Sequence, residues 1–152
     1  AVDARRDPDL VIMARTDIRG VEGMGAAIDR AKALEAAGAD AIFPEAMATL
    51  EEFAAMRAAV DVPILANMTE FGKSELFTHQ QLADVGVNMV IHPVSLLRVA
   101  FGAIERALDT LQSTGTLDGE VAGMQTRGRL YELLDYEAYN AFDAGIYTYS
   151  GR

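Results

Sequence analysis

The sequence predicts an α/β protein built from alternating strand and helix units, and three observations carry that prediction. Short apolar runs recur at "LVIMA" (10–14), "AIFP" (41–44), "VPILA" (62–66) and "NMVIHP" (88–93), each bounded by turn residues. Between them lie "EGMGAAIDRAKALEAAG", "LEEFAAMRAAV" and "THQQLADVG", in which Ala, Leu and Met return every three or four residues. The run "GADAIFPE", opened by Gly38, echoes in "GVNMVIHP", opened by Gly86, two strand-plus-helix units later.

Strictly alternating βα units imply parallel strands with right-handed crossovers, and strands with little polar alternation are covered on both faces. A doubly wound open sheet and a (β/α)8 TIM-type barrel both satisfy this. The barrel is favoured, because the unit length matches and polar residues gather after every strand rather than at one switch point. The four runs supply about half of such a barrel, which leaves two open sheet edges and an apolar inner layer. This reading therefore expects the chain to be a piece of one about twice as long. Residues 1–94 are read as half of the barrel, and 95–152 as its last helix with further helices appended.

Each element follows from local chemistry. The opening "AVDARRDPD" reads as the end of a helix running into a turn. Gly38 and Gly86 follow alanine-rich helices as C-cap glycines do, Thr49 stands at an N-cap position, and Thr78 with Gln81 forms a capping box. Ser95 is expected to cap "SLLRVAFGAIERALDTLQ", a long amphipathic helix with Leu97, Phe101, Ile104, Leu108 and Leu111 on one stripe. After the "STGTLDGE" loop, "QTRGRLYELL" and "DYEAYNAFDAG" read as two shorter helices too apolar to stand free. Part of residues 118–143 is therefore expected to pack on another subunit.

Composition narrows the function. The chain has 152 residues, 51% of them hydrophobic, enough for one domain with a core. A formal net charge of −10, with an isoelectric point near 4.5, argues against nucleic-acid or anionic-membrane partners, which require clustered Lys and Arg. Without cysteine there is no disulfide, thiolate zinc site or thiol nucleophile. No apolar stretch approaches the roughly 20 residues of a membrane span, the first residues carry no signal-peptide core, and a cytoplasmic protein is expected.

In a parallel βα array, whatever follows each strand lies at its C-terminal mouth. Here that is Arg15-Thr16-Asp17, Glu45, Asn67-Met68-Thr69-Glu70 and His92-Pro93-Ser95. Loops are polar in any case, and Asp17 and Ser95 are candidate helix caps. Arg15 and Glu45 are sharper, because each follows an apolar run so closely that its stem should be buried, and a buried charge requires a partner or a ligand. They either pair with each other or face a substrate. Arg15 offers a fork for a carboxylate, while Asn67 and Thr69 bond carboxylate or hydroxyl oxygens. Glu45 would repel an anion unless a proton or a divalent cation intervenes, so the set suits a small di- or tricarboxylate held with Mg2+. Hard-cation sites usually take more than one carboxylate, so the direct ligands are expected outside these residues. His79 and His92 read as surface or capping histidines. Phe43 and Ile91, close before the mouth, place hydrocarbon where one of them can face the ligand.

Taken in order, "VIMARTD", "FPEA", "VPILANMTEFG", "HPVSLLR" and "MQTR" resemble the C-terminal half of the methylisocitrate lyase family, within the isocitrate lyase and phosphoenolpyruvate mutase superfamily. The resemblance spans nearly the whole chain. It implies a barrel with a helix exchanged between subunits, a homotetramer, Mg2+, and reversible cleavage of 2-methylisocitrate to pyruvate and succinate. Carried over by position, Arg15 binds a substrate carboxylate, and Glu45 reaches the metal through water and the substrate. Asn67, Met68 and Thr69 line the succinate side, and Arg98 and Arg127 are further carboxylate anchors. Isocitrate lyases tend to place a bulkier tryptophan and a polar threonine where this chain has Phe43 and Ile91, which implies a pocket for the extra methyl. The family's catalytic cysteine loop, its metal-binding aspartates and its "SGG" turn are absent here, so these residues alone are expected to be inactive. Isocitrate lyase, mutase or oxaloacetate-processing activity is the alternative within the superfamily. A non-catalytic half barrel that assembles with a partner is the alternative outside it.

Overall fold

A computed structural model describes residues 1–147, so the last five residues of the appended segment lie outside the described residues. Two compact units are distinguished, Ala1–Val99 and Ala100–Arg152. The first contains β1 (Met13–Thr16), α1 (Arg19–Glu22), α2 (Met24–Ala36), β2 (Ala41–Pro44), α3 (Leu50–Ala59), β3 (Leu65–Asn67), α4 (His79–Asp84) and β4 (Met89–Ile91). The helix α5 (Ser95–Thr114) starts in it, and the rest of α5 belongs to the second unit with a 3-10 turn at Asp118–Gly123, α6 (Arg127–Leu133) and α7 (Tyr136–Tyr147).

All strand pairing is parallel. β1 pairs with β2, placing Arg15 opposite Phe43, and β3 pairs with β4, placing Asn67 opposite Ile91. The two ribbons meet through a bridge between Ile42 and Ile64, where the Ile42 amide donates to the Pro63 carbonyl at 2.9 Å. Continued along the strands, this register puts Asp17, Glu45, Asn67 and Ile91 in one row across the C-terminal ends.

The core lies between these strands and the helices that connect them. Ile42, Ile64 and Ala66 meet Ala27 and Ala31 of α2, Phe53 and Met56 of α3, and Leu82 of α4. The two alanines let α2 approach closely, and Phe53 and Met56 fill what remains. Polar side chains take up the backbone groups that the short strands leave over. Asp40 accepts from the Ile12 amide (2.7 Å) and from Arg5 (2.6 Å); Glu35 accepts from the amides of Asp61 and Val62 at 2.8 and 3.0 Å; Asn88 accepts from the Ile64 amide at 3.0 Å. The Ile12 bond and the Arg5 pair hold the Asp40 carboxyl below the usual carboxylate range.

The expected caps at Thr49 and Thr78 form, the latter with its full box to Gln81. Ser95 differs. It is the first helical residue of α5, preceded by Val94 in the left-handed region at φ 56°, so it does not cap the helix. The first strand also starts later than the apolar run suggests, because Leu10 and Val11 lie exposed on the turn that Arg5 and Asp40 tie down. Among the described residues no helix is long and apolar enough to cross a membrane.

Candidate active site at the strand ends

The C-terminal ends of β1, β2 and β3 open into a cleft of about 370 Å3 lined by Arg15, Asp17, Glu45, Asn67 and Thr69, together with Gly20, Val21 and the Gly72-Lys73-Ser74 segment. Four of the residues singled out in the sequence, Arg15, Glu45, Asn67 and Thr69, thus come together.

Their electrostatics are already partly internal. Arg15 donates to both oxygens of Asp17, at 3.0 and 2.8 Å, and its guanidinium stands 3.5 Å from Glu45. The Asp17 bond raises the Arg15 guanidinium above its ordinary value and holds the Asp17 carboxyl below its own. Asn67 donates its amide to Glu45 at 3.3 Å. Its other atom, Oδ1, is buried without a hydrogen-bond partner among the described residues. Asp17 is therefore a forked partner of Arg15 and caps no helix; the residue in the cap position of α1 is Ile18, with no side-chain cap.

Several expectations require correction. The Arg15 side chain is 52% exposed rather than buried, and β1 has no second neighbour among the described residues. Its guanidinium covers the Phe43 ring instead, 5.0 Å from the centroid. Met68 does not line the cleft. It is 1% exposed in the core, because side chains alternate along an extended segment and Asn67 and Thr69 occupy the other direction. Phe43 and Ile91 are half-buried, one under Arg15 and one beside Asn67, and neither reaches the cleft wall.

Arg98 is likewise spoken for. It donates to Thr69 Oγ1 at 3.1 Å and to the Glu70 carbonyl and carboxylate at 3.0 Å each, with Phe71 stacked against it. The Ser95 hydroxyl first, and Arg98 with it, holds the Glu70 carboxyl below its usual range. Arg127 opens α6 in the second unit. His79 and His92 face each other outside the cleft with their Nε2 atoms 2.9 Å apart, both exposed.

Sequence reasoning missed Lys73, Gly20 and the backbone strain around the cleft. Ala46 and Phe71 both sit at φ 61°, in the left-handed region that bulky residues rarely adopt, next to Glu45 and Glu70. Nothing in "EAMA" or "EFGK" announces a left-handed Ala or Phe. The signal for Lys73 was present, since a lone lysine follows the most polar of the four strand ends.

A family model described as phosphoenolpyruvate phosphomutase matches residues 1–112. A Corynebacterium glutamicum relative named "Probable 2-methylisocitrate lyase 2" is 57% identical over 150 residues, which are 99% of this chain and 49% of that protein. The structure of oxaloacetate acetylhydrolase in complex with the inhibitor 3,3-difluorooxalacetate matches with a TM-score of 0.79 at 29% identity, over 93% of this chain and 47% of that one. Phosphonopyruvate hydrolase in complex with oxalate and Mg++ matches with a TM-score of 0.76 at 26% identity, over 94% and 51%. The chain spans about half the length of the curated relatives it matches.

Proposed function

The chain belongs to the phosphoenolpyruvate phosphomutase family, and from that premise we propose that its cleft serves a carbon–carbon lyase that cleaves 2-methylisocitrate to pyruvate and succinate. The activity is assigned to a protein of the relatives' length, folded as a (β/α)8 barrel and assembled as a homotetramer. The observation that carries the reading is the constellation at the ends of three neighbouring parallel strands: the Glu45 carboxylate with the Arg15 guanidinium 3.5 Å and the Asn67 amide 3.3 Å from it. High identity to a methylisocitrate lyase relative supports the substrate.

In that cleavage a base removes the substrate's hydroxyl proton and the oxygen becomes the keto group of pyruvate. The carbon–carbon bond breaks, its electron pair leaves with the other fragment as an aci-carboxylate, and an acid protonates that carbon to give succinate. Arg15 holds a substrate carboxylate beside the developing charge, with Asn67 and Thr69 as neutral donors around it. Arg98 acts through Thr69 and Glu70 as a positioning residue, and Arg127 is assigned to a further carboxylate on the resemblance alone. Phe43 supports the Arg15 guanidinium from beneath and Ile91 stands beside Asn67 short of the cleft wall, so the preference for the extra methyl is assigned to residues outside these 152. The proton donor is not a thiol of these 152 residues, which contain no cysteine.

Magnesium belongs to the same proposal, but the residues present do not make its site. Among the described residues no three metal-ligating side chains gather, and Glu45 is engaged by Arg15 and Asn67. Glu45 fits an outer position, through water, and no step above runs through the metal.

In the full-length enzyme, Arg15→Ala is expected to lower kcat/KM about a hundredfold, or roughly 3 kcal/mol of transition-state stabilisation. A loss under about threefold would make Arg15 structural. Assayed side by side, 2-methylisocitrate should outpace isocitrate by about 10-fold or more. Turnover of oxaloacetate in place of both would favour the hydrolase reading that the oxaloacetate acetylhydrolase likeness raises.

A further inference from the structure

The cleft is lined by two cations, Arg15 and Lys73, and only Lys73 has no ion-pair or hydrogen-bond partner among the described residues. Arg15 is neutralised within the chain, by a forked pair with Asp17 and by Glu45 beside it. Lys73 lines the same cleft and has no ion-pair or hydrogen-bond partner among the described residues. A cleft whose carboxylates are Asp17 and Glu45 offers an incoming anion no net attraction from Arg15 until that pair is disturbed. An ammonium without a partner offers it at once.

The segment that carries Lys73 is tied down on both sides. On its N-terminal side, Arg98 pins Thr69 and Glu70. On its C-terminal side, the Ser74 hydroxyl donates to the Met47 carbonyl, just beyond β2. Gly72 cannot take a side chain without cost, since a Cβ there would stand 3.0 Å from the Thr69 methyl. Opposite, the Lys73 ammonium lies beside Gly20, 3.5 Å from where a Cβ on that residue would stand. The ammonium thus lies over the β1 side of the cleft although its backbone follows β3.

From this we infer that Lys73 binds a carboxylate of the ligand and sets the cleft's specificity for dicarboxylates. The inference rests on the lyase reading for the ligand class, a small di- or tricarboxylate, while the place of the ammonium in the cleft stands on its own. The geometry makes Lys73 a binding residue for an outer carboxylate, while Arg15 takes the carboxylate at the strand ends once its pair with Asp17 opens.

The test uses the full-length enzyme, wild type, Lys73→Met and Lys73→Arg, with succinate binding measured calorimetrically and 2-methylisocitrate cleavage measured separately. Lys73→Met should weaken succinate binding and raise KM about tenfold while leaving kcat within about threefold, and Lys73→Arg should recover most of the loss. A change in Kd below about twofold for Lys73→Met overturns the inference. So does an Arg variant no better than the Met variant, which would mark a packing role, or a wild-type enzyme that binds no dicarboxylate. A wild type that binds succinate through Lys73 but cleaves no 2-methylisocitrate leaves the inference standing and removes the lyase reading instead.

Discussion

The helices of the first unit and those of the second invert the usual relation between pattern and burial. α2 and α3 carry only a weak apolar stripe, yet Ala27, Ala31, Phe53 and Met56 are buried to 1% exposure or less. α5 has a strong stripe, yet Phe101, Ile104 and Leu108 stay about half exposed, and the described part of α6 and α7 buries nothing. A helix between sheet and neighbours can be apolar nearly all round, because everything around it is protein. A sharp stripe says that one face requires a cover, without saying which. What holds the second unit's helices locally is short-range: Thr126 caps α6 through the Arg129 amide at 3.1 Å, and the rings of Tyr131 and Tyr136 stack at 4.5 Å.

The strongest way to break this contrast is a matched pair of truncations. Phe53→Ala is expected to cost about 3–5 kcal/mol in denaturant unfolding, the figure for emptying a packed aromatic site. Phe101→Ala should cost under about 0.5 kcal/mol in dilute monomer. Should Phe101→Ala cost as much as Phe53→Ala in the assembled enzyme and little after dissociation, the stripe is covered by another subunit, as the proposed tetramer requires.

Gly86→Ala comes next, at about 1–3 kcal/mol. Gly86 turns the chain from α4 towards β4 at φ 82°, and an added Cβ would lie 2.5 Å from Arg57 Cγ. Gly115, at φ 75° after α5, has nothing within 4 Å of such a Cβ, so Gly115→Ala should lose only the conformational part, about 1 kcal/mol. Equal thermal shifts for both variants would contradict the packing difference between the units.

Caps should show no contrast. Thr49→Ala and Thr126→Ala are each expected to cost about 1 kcal/mol, since both hydroxyls accept one amide at a helix start. Unequal losses in urea titration would mean that tertiary context, not capping, sets the value.

The smallest effect is on pH. The Asp40 carboxyl is depressed by the Ile12 amide and Arg5, so its contribution is present above the ordinary aspartate value near 3.9 and fades as pH falls through the lower folded value. Asp40→Asn should flatten the acid limb of thermal stability below about pH 4 and leave its slope at neutral pH unchanged.

These contrasts bear on how far the sequence alone could be read. The second strand, AIFP, falls where its apolar run places it, because turn residues bound it on both sides. The mouth residues Arg15, Glu45, Asn67 and Thr69 were legible for one reason: in a parallel array, polar residues just past a strand share an end. Met68 was carried over with its neighbours by resemblance, which does not register the alternation that turns its side chain into the core. Lys73 stood in the sequence as a lone lysine past a strand end, but the pairing of Arg15 with Asp17 that sets it apart is not encoded by spacing. The left-handed Ala46 and Phe71 follow from how the loops must close, and closure depends on residues far apart in sequence.

The row formed by Asp17, Glu45, Asn67 and Ile91 constrains how such a site can change over generations. Asn67 shows the parity most plainly, with Ala66 and Met68 buried on either side of it in the chain. Deleting one residue from the run before Asn67 would carry Met68 to the mouth and send the amide inward, exchanging chemistry for grease in a single step. Slippage is therefore closed as a route to new specificity. Loop insertions past the row stay open, because they leave the parity untouched, and the segment that presents Lys73 is where such drift can accumulate.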